Sequence, residues 1–133
     1  MASIRKDIPL GASAEAVWAA LADFQAVHER VAPGFVTGSR PEGEDRVVTF
    51  AAGGEAQERL VTADATARRL VYTVVRGALG ATHHQASVEV HEVPGEGGSR
   101  LVWTTDVLPD TLAPVIDGLM DQGAVAIART LAG

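Results

Sequence analysis

Four histidines, one tyrosine, two tryptophans and a glutamate set in an apolar stretch are the side chains of this 133-residue chain whose surroundings point to chemistry. His83 and His84 open the segment Thr82–Val93, in which His84, Ala86, Val88 and Val90 alternate with His83, Gln85, Ser87, Glu89 and His91. Successive side chains of a strand point to opposite faces, so His84 goes inward with the apolar set and His83 goes outward. An inward imidazole is either a hydrogen-bonded core residue or a tunable donor or general base in a cavity. The same facing argues against a metal centre. His83 and His84 diverge, His83 and His91 lie about 26 Å apart along a strand, and no His-x-x-x-His spacing occurs. We expect no metal and no cofactor.

Glu58 alternates with Leu60 and Thr62, opposite Gln57, Arg59 and Val61. With the Leu60 face inward, the carboxyl lies against apolar walls, where desolvation raises its pKa towards acid/base duty. Val61 leaves the facing open, and the other reading is a solvated charge paired with an arginine. Tyr72 shares a face with Leu70, Val74 and Arg76; its ring suits a core, and its phenol needs a partner that a cavity would supply. Arg76, at the end of that face, is placed to polarise a carbonyl or bind a carboxylate, or is simply a surface arginine. Trp103 goes with Leu101, Thr105 and Val107, and Asp106 goes with Val102, Thr104 and Leu108. In a regular strand only one of the two lines the interior. The larger apolar area favours Trp103, leaving Asp106 structural or at a bulge.

The elements that must hold these residues follow from periodicity. Ser3 to Leu10 alternates as a half-buried strand, interrupted on its apolar side by Lys6, with Pro9 tolerable at an edge. Ser13 is a helix N-cap with Glu15 in the first turn, and Ala14, Val17, Trp18 and Leu21 follow helical spacing, with Trp18 packing the helix on the sheet. A second short helix covers Phe24 to Arg30. His28 lies on its apolar stripe near the C-terminus, as a packing residue or a gate. Six strands follow: Phe35–Arg40, Asp45–Ala52, Ala56–Asp64, Arg69–Arg76, Thr82–Val93 and Ser99–Leu108. Their connections are short, which favours antiparallel neighbours. The last turn is a glycine-rich hairpin around Glu96, a charge that would repel phosphate. From Asp110 to about Leu131 one long helix carries Leu112, Ile116, Leu119, Met120, Gly123 and Ile127 on a single face, with Met120 among the residues facing a ligand. Gly118 and Gly123 cost helix stability, and we expect them to enlarge a space between helix and sheet.

Composition narrows the function classes. The chain lacks cysteine, which excludes disulfides, Cys-based zinc sites and a thiol nucleophile. Its formal net charge of −6 argues against a nucleic-acid surface. The first residues show no signal core and no apolar run approaches membrane-spanning length, so a cytoplasmic protein without membrane partners is expected. Ten arginines to one lysine and no asparagine are the imprint of a GC-rich bacterial genome. Gly-x-Gly-x-x-Gly, P-loop and Gly-x-Ser-x-Gly motifs are absent.

One strand, two short helices, six strands and a long helix describe an α+β helix-grip architecture: a curved antiparallel seven-stranded sheet around the C-terminal helix, in a single domain over residues 1–133. With Ile8-Pro9-Leu10-Gly11-Ala12-Ser13-Ala14-Glu15-Ala16-Val17-Trp18, Leu21-Ala22-Asp23-Phe24, Glu58-Arg59-Leu60, Arg69-Leu70-Val71-Tyr72 and Arg100-Leu101-Val102-Trp103, followed by Asp106 and Pro109, the chain resembles the START-like superfamily. Within it, the resemblance is to bacterial polyketide cyclase/dehydrase-related proteins, and it spans essentially the whole chain. It implies a cavity for a hydrophobic or amphiphilic small molecule. His84 or Glu58 would be the acid/base of a cyclase or dehydratase, with Tyr72 or Arg76 as donor and His28, Trp103 and Met120 as further ligand contacts. A carrier without turnover, a homodimer and a chaperone-cofactor-like module are compatible with the same resemblance. Aromatics make up only 5% of the chain, sparse for a site that holds flat polycyclic products.

Overall fold

Alternating apolar side chains build seven strands, and the short turns between them leave only antiparallel pairing. The computed structural model describes residues 1–95 and 97–133. Strands β1 (Ala2–Leu10), β2 (Val36–Glu42), β3 (Asp45–Phe50), β4 (Glu55–Asp64), β5 (Arg69–Gly77), β6 (His83–Glu92) and β7 (Ser99–Leu108) form one sheet in the order β1-β7-β6-β5-β4-β3-β2. Every neighbouring pair is antiparallel. β1 and β2 are the edges, and Pro9 sits on an edge strand, as its missing N–H requires. The helices are α1 (Ala14–Ala22), α2 (Val27–Arg30) and α3 (Ala113–Thr130).

Several boundaries differ from the sequence reading. β2 runs on through Pro41 and Glu42, so the turn shrinks to Gly43 and Glu44, and β3 stops at Phe50. The helix expected over Phe24–Arg30 is a 3₁₀ turn, Phe24–Ala26, followed by the single turn of α2. Glu96, placed by the sequence in a hairpin turn, lies outside the described residues. Ser13 caps α1 as expected, its hydroxyl accepting from the Ala16 N–H at 3.2 Å.

The sheet's concave face is covered jointly rather than by α3 alone. α1 buries Ala14, Val17, Ala20 and Leu21, and α3 buries Ile116, Met120, Gly123, Ala126 and Ile127. Val17, Leu101 and Val107 have no exposed surface, and burying each contributes roughly 1.5–3 kcal/mol. Lys6, which breaks the apolar side of β1, reaches across to α3. Its ammonium lies 2.6 Å from Asp117 and 2.8 Å from Asp121, carboxylates one helical turn apart and hence on one face. The far end of α3 docks on the chain leading into α1, where the Ala12 N–H donates to the Leu131 carbonyl at 3.1 Å. Gly11 allows that approach, because a Cβ there would fall 1.8 Å from the Ala132 carbonyl oxygen.

The two helix glycines have different roles, and neither simply widens an empty space. Gly118 faces outward, with nothing near the position of a Cβ. Gly123 faces the sheet, and a Cβ there would lie 2.9 Å from the Trp103 ring and 3.2 Å from Phe35. The room left by its missing side chain is filled by the indole. The paired substitutions should therefore move stability in opposite directions in urea denaturation. Gly118→Ala should stabilise by about 0.5–1 kcal/mol through helix propensity. Gly123→Ala should destabilise by about 1–3 kcal/mol, because overpacking against Trp103 outweighs the same gain.

Candidate ligand-binding site

Between the concave face and α3 lies a cavity of about 200 Å³ with mainly apolar walls. α3 contributes Ile116, Leu119, Met120 and Ile127 to its lining, and the strands contribute Val48, Val74 and Val88. A cavity of ~150 Å³ is enough to take benzene, and drug-sized ligands need roughly 300–1,000 Å³. The space therefore suits one or two rings. One end is lined by the largely exposed loop from Gly77 to Ala81 and by Gly53 and Gly54 of the β3–β4 turn, which form the rim.

The polar groups inside are few. Arg46 and Glu58, neighbours across β3 and β4, are both buried and both line the cavity. The Arg46 Nε–H donates to Glu58 Oε1 at 2.8 Å and the Nη1–H to the Phe24 carbonyl at 2.9 Å. The guanidinium lies 3.8 Å above the centre of the Phe24 ring and 5.1 Å from that of Tyr72, within reach of cation–π attraction. Burial raises the Glu58 pKa above its ordinary value, and Arg46 opposes the shift without cancelling it. Glu58 is thus paired with an arginine but is not the solvated charge of the bland sequence reading. Leu60, expected to mark the buried face, is 39% exposed and Val61 56%. Ala56 and Glu58 are turned in, as alternation with Leu60 requires, and Glu58 to Leu60 keep one register against β5 although Leu60 is exposed; the register shifts of β4 fall on either side, at Gln57/Glu58 and Leu60/Thr62.

Tyr72 lines the cavity, and its phenol pKa is driven well above the usual range, first by burial and then by the Glu58 charge. It stays a neutral hydroxyl at any physiological pH. Trp103 lines the same wall; its indole N–H lies towards Tyr72, yet is buried without a partner at hydrogen-bonding geometry. Asp106 is on the opposite face, where the Ser3 hydroxyl donates to it. β7 keeps an unbroken register with both neighbours, so Asp106 marks no bulge. His84 lines the cavity, half-buried, with a pKa lowered mainly by burial and further by His83. Its imidazole is therefore neutral at pH 7. Met120 lies in the wall, and Arg76 is an exposed rim residue donating to Gln57 at 3.1 Å.

His28 must be corrected. It is not among the cavity-lining residues; its Nε2 lies 3.1 Å from Glu29, and its buried Nδ1 has no partner. Val27 and Val31, one turn apart, take the cavity side of α2, and residue 28 is rotated away from them. Arg46 was not singled out by the sequence reading, though a signal existed: it is in phase with Val48 and Phe50, and all three line the cavity. Among the described residues no group of His, Cys, Asp or Glu side chains converges as a metal site, and no helix is long and apolar enough to cross a membrane.

A sheet gripping a helix around an apolar cavity defines a ligand-binding fold of the START-like kind. The chain belongs to the polyketide cyclase / dehydrase and lipid transport family, whose family model matches residues 1–132. It is similar to a Thermobifida fusca protein solved in solution, at 30% identity and a TM-score of 0.79, covering 99% of this chain and 91% of that one. A START superfamily protein from Mycobacterium smegmatis superposes with a TM-score of 0.72 at 14% identity over 98% and 94% of the two chains. Norcoclaurine synthase from Thalictrum flavum, solved as a point mutant with a transition-state analogue, does so at 0.71 and 20% identity over 98% and 93%. No curated protein matches the chain.

The raised Glu58 pKa fixes the sign of a pH effect. With the folded value above the unfolded one, the folded state holds the proton longer, so Glu58 favours folding most below about pH 4.5. That contribution is lost as pH rises through the folded pKa. The stability of the native chain minus that of Glu58→Gln, measured by urea denaturation at a series of pH values, should fall as pH increases from about 4.5. A carbon-13 titration of the Glu58 carboxyl should place its midpoint above the same value.

Proposed function

We propose that the protein binds a small, largely apolar molecule of one or two rings in the cavity between the sheet and α3. The observation that carries this reading is the cavity itself: it is apolar, about 200 Å³, and open at one loop-lined end. Membership of a family described by cyclase, dehydrase and lipid-transport members supports it. So does the shortage of aromatic residues, since a space of this size and composition is unsuited to flat polycyclic products.

A second reading, acid/base catalysis on the bound molecule, is favoured by Glu58. It is a buried carboxyl with a raised pKa beside a neutral tyrosine hydroxyl, a combination that serves proton transfer at an activated carbon. His84 supplies a second, neutral base nearer the rim. In this reading Glu58 or His84 moves the proton and Tyr72 donates to the developing oxyanion.

Calorimetric titration with naphthalene tests the binding reading. Saturable one-to-one binding is expected, and Val74→Phe, which adds bulk on the cavity wall, should weaken it at least tenfold. Absence of saturable binding, or indifference to Val74→Phe, would overturn the proposal. His84→Ala should leave the denaturation midpoint nearly unchanged. It should weaken a ligand that hydrogen-bonds the imidazole by about three- to tenfold, whereas a general base at this position would cost turnover about a hundredfold or more.

A further inference from the structure

The polar groups in the cavity select among ligands, provided the cavity binds a small molecule as proposed above. Arg46 is the one buried cation of the walls among the described residues, and it is already engaged. Two of its nitrogens donate, to Glu58 and to the Phe24 carbonyl, and its flat face covers the Phe24 ring. Glu58 is only half engaged. Its Oε1 accepts from Arg46 at 2.8 Å, while no described residue donates to Oε2, although the side chain is only 9% exposed. Oε2 keeps some accessible surface rather than being sealed in, and the cavity that Glu58 lines is the space from which a donor can reach it.

We propose that the ligand is a neutral molecule of one or two rings carrying a hydroxyl, which donates to Glu58 Oε2 while the rings lie against the apolar walls. The charges around the site exclude the alternatives. A carboxylate ligand within reach of Glu58 would bring a second negative charge beside it, while Arg76, the cation at the rim, lies exposed and bonded to Gln57. An ammonium ligand would compete with Arg46 for Glu58 and would leave two positive charges in a desolvated space. A hydroxyl avoids both costs. Because it donates and accepts, it also matches the neighbouring Tyr72 phenol.

The test is a titration of the full chain at pH 7 with three probes of one shape: naphthalene, 2-naphthol and 2-naphthoate. 2-Naphthol should bind at least tenfold more tightly than naphthalene, because hydrogen bonds to charged acceptors are the strong ones, and 2-naphthoate should bind at least tenfold more weakly than 2-naphthol. The double variant Arg46→Met/Glu58→Leu removes both charges together and so leaves no unpaired ion. In it, 2-naphthol should bind no more tightly than naphthalene. Naphthalene binding with no advantage for 2-naphthol, or tighter binding of 2-naphthoate, overturns the inference about ligand class and leaves the binding function standing. A preference for 2-naphthol that persists in the double variant also overturns it. Failure of all three probes to bind overturns the binding function itself.

Discussion

A single buried guanidinium joins three parts of the chain at the cavity wall. Arg46 comes from β3, Glu58 from β4, and the Phe24 carbonyl and ring from the turn between α1 and α2. Removing two charges from water costs several kcal/mol per ion, so the arrangement is tolerable because the charges pair with each other and Arg46 also donates to the Phe24 carbonyl. Losing one member would leave the other buried and uncompensated, at about 3–5 kcal/mol. The geometry of the cavity follows from this. The turn that carries Phe24 fixes where α2 starts, and α2 in turn presents Val27 and Val31 to the cavity.

The ionic contact at the other side of the sheet works differently. Lys6 on edge strand β1 grips Asp117 and Asp121 of α3 near solvent, where salt screens the attraction. β1 and β3 lie at opposite sides of the sheet order, with β7, β6, β5 and β4 between them. The helices are thus tied down on two flanks, and the strands between are free of ionic obligations to the helices above. Those central strands supply the apolar walls. Arg46 and Glu58 line the cavity themselves, so one of the two ties forms part of its wall.

Much of the fold could be read from the chain because its signals are local. Period-two alternation, glycine-rich turns and one long amphipathic helix define a helix-grip sheet, and β7 begins and ends where its alternation does. The inward facing of Trp103 and His84 followed from parity, since β6 and β7 are regular where those residues sit. On β4 parity put Glu58 on the Leu60 face, which is turned inward at Ala56 and Glu58, but it did not reveal that Leu60 is exposed, nor the register shifts at Gln57/Glu58 and Leu60/Thr62, which partner strands set. His28 was misplaced because an apolar stripe was extrapolated through what proved to be a 3₁₀ turn and one helical turn. Lys6 looked like a flaw in a strand because its carboxylate partners lie 111 residues and more further along. Arg46 was passed over because an arginine in a strand ordinarily marks the solvent face.

Trp103 is the largest side chain of the cavity wall, and its position is decided from outside the sheet. The indole edge rests in the notch at Gly123, against atoms that a methyl group would displace. A bulkier residue in α3 would push the ring back towards the strands, into the volume a guest would use. The aperture offered to a ligand is therefore regulated by a hydrogen atom on the lid. A lineage could retune its guest by exchanging bulk between these two positions, leaving every polar group of the cavity untouched.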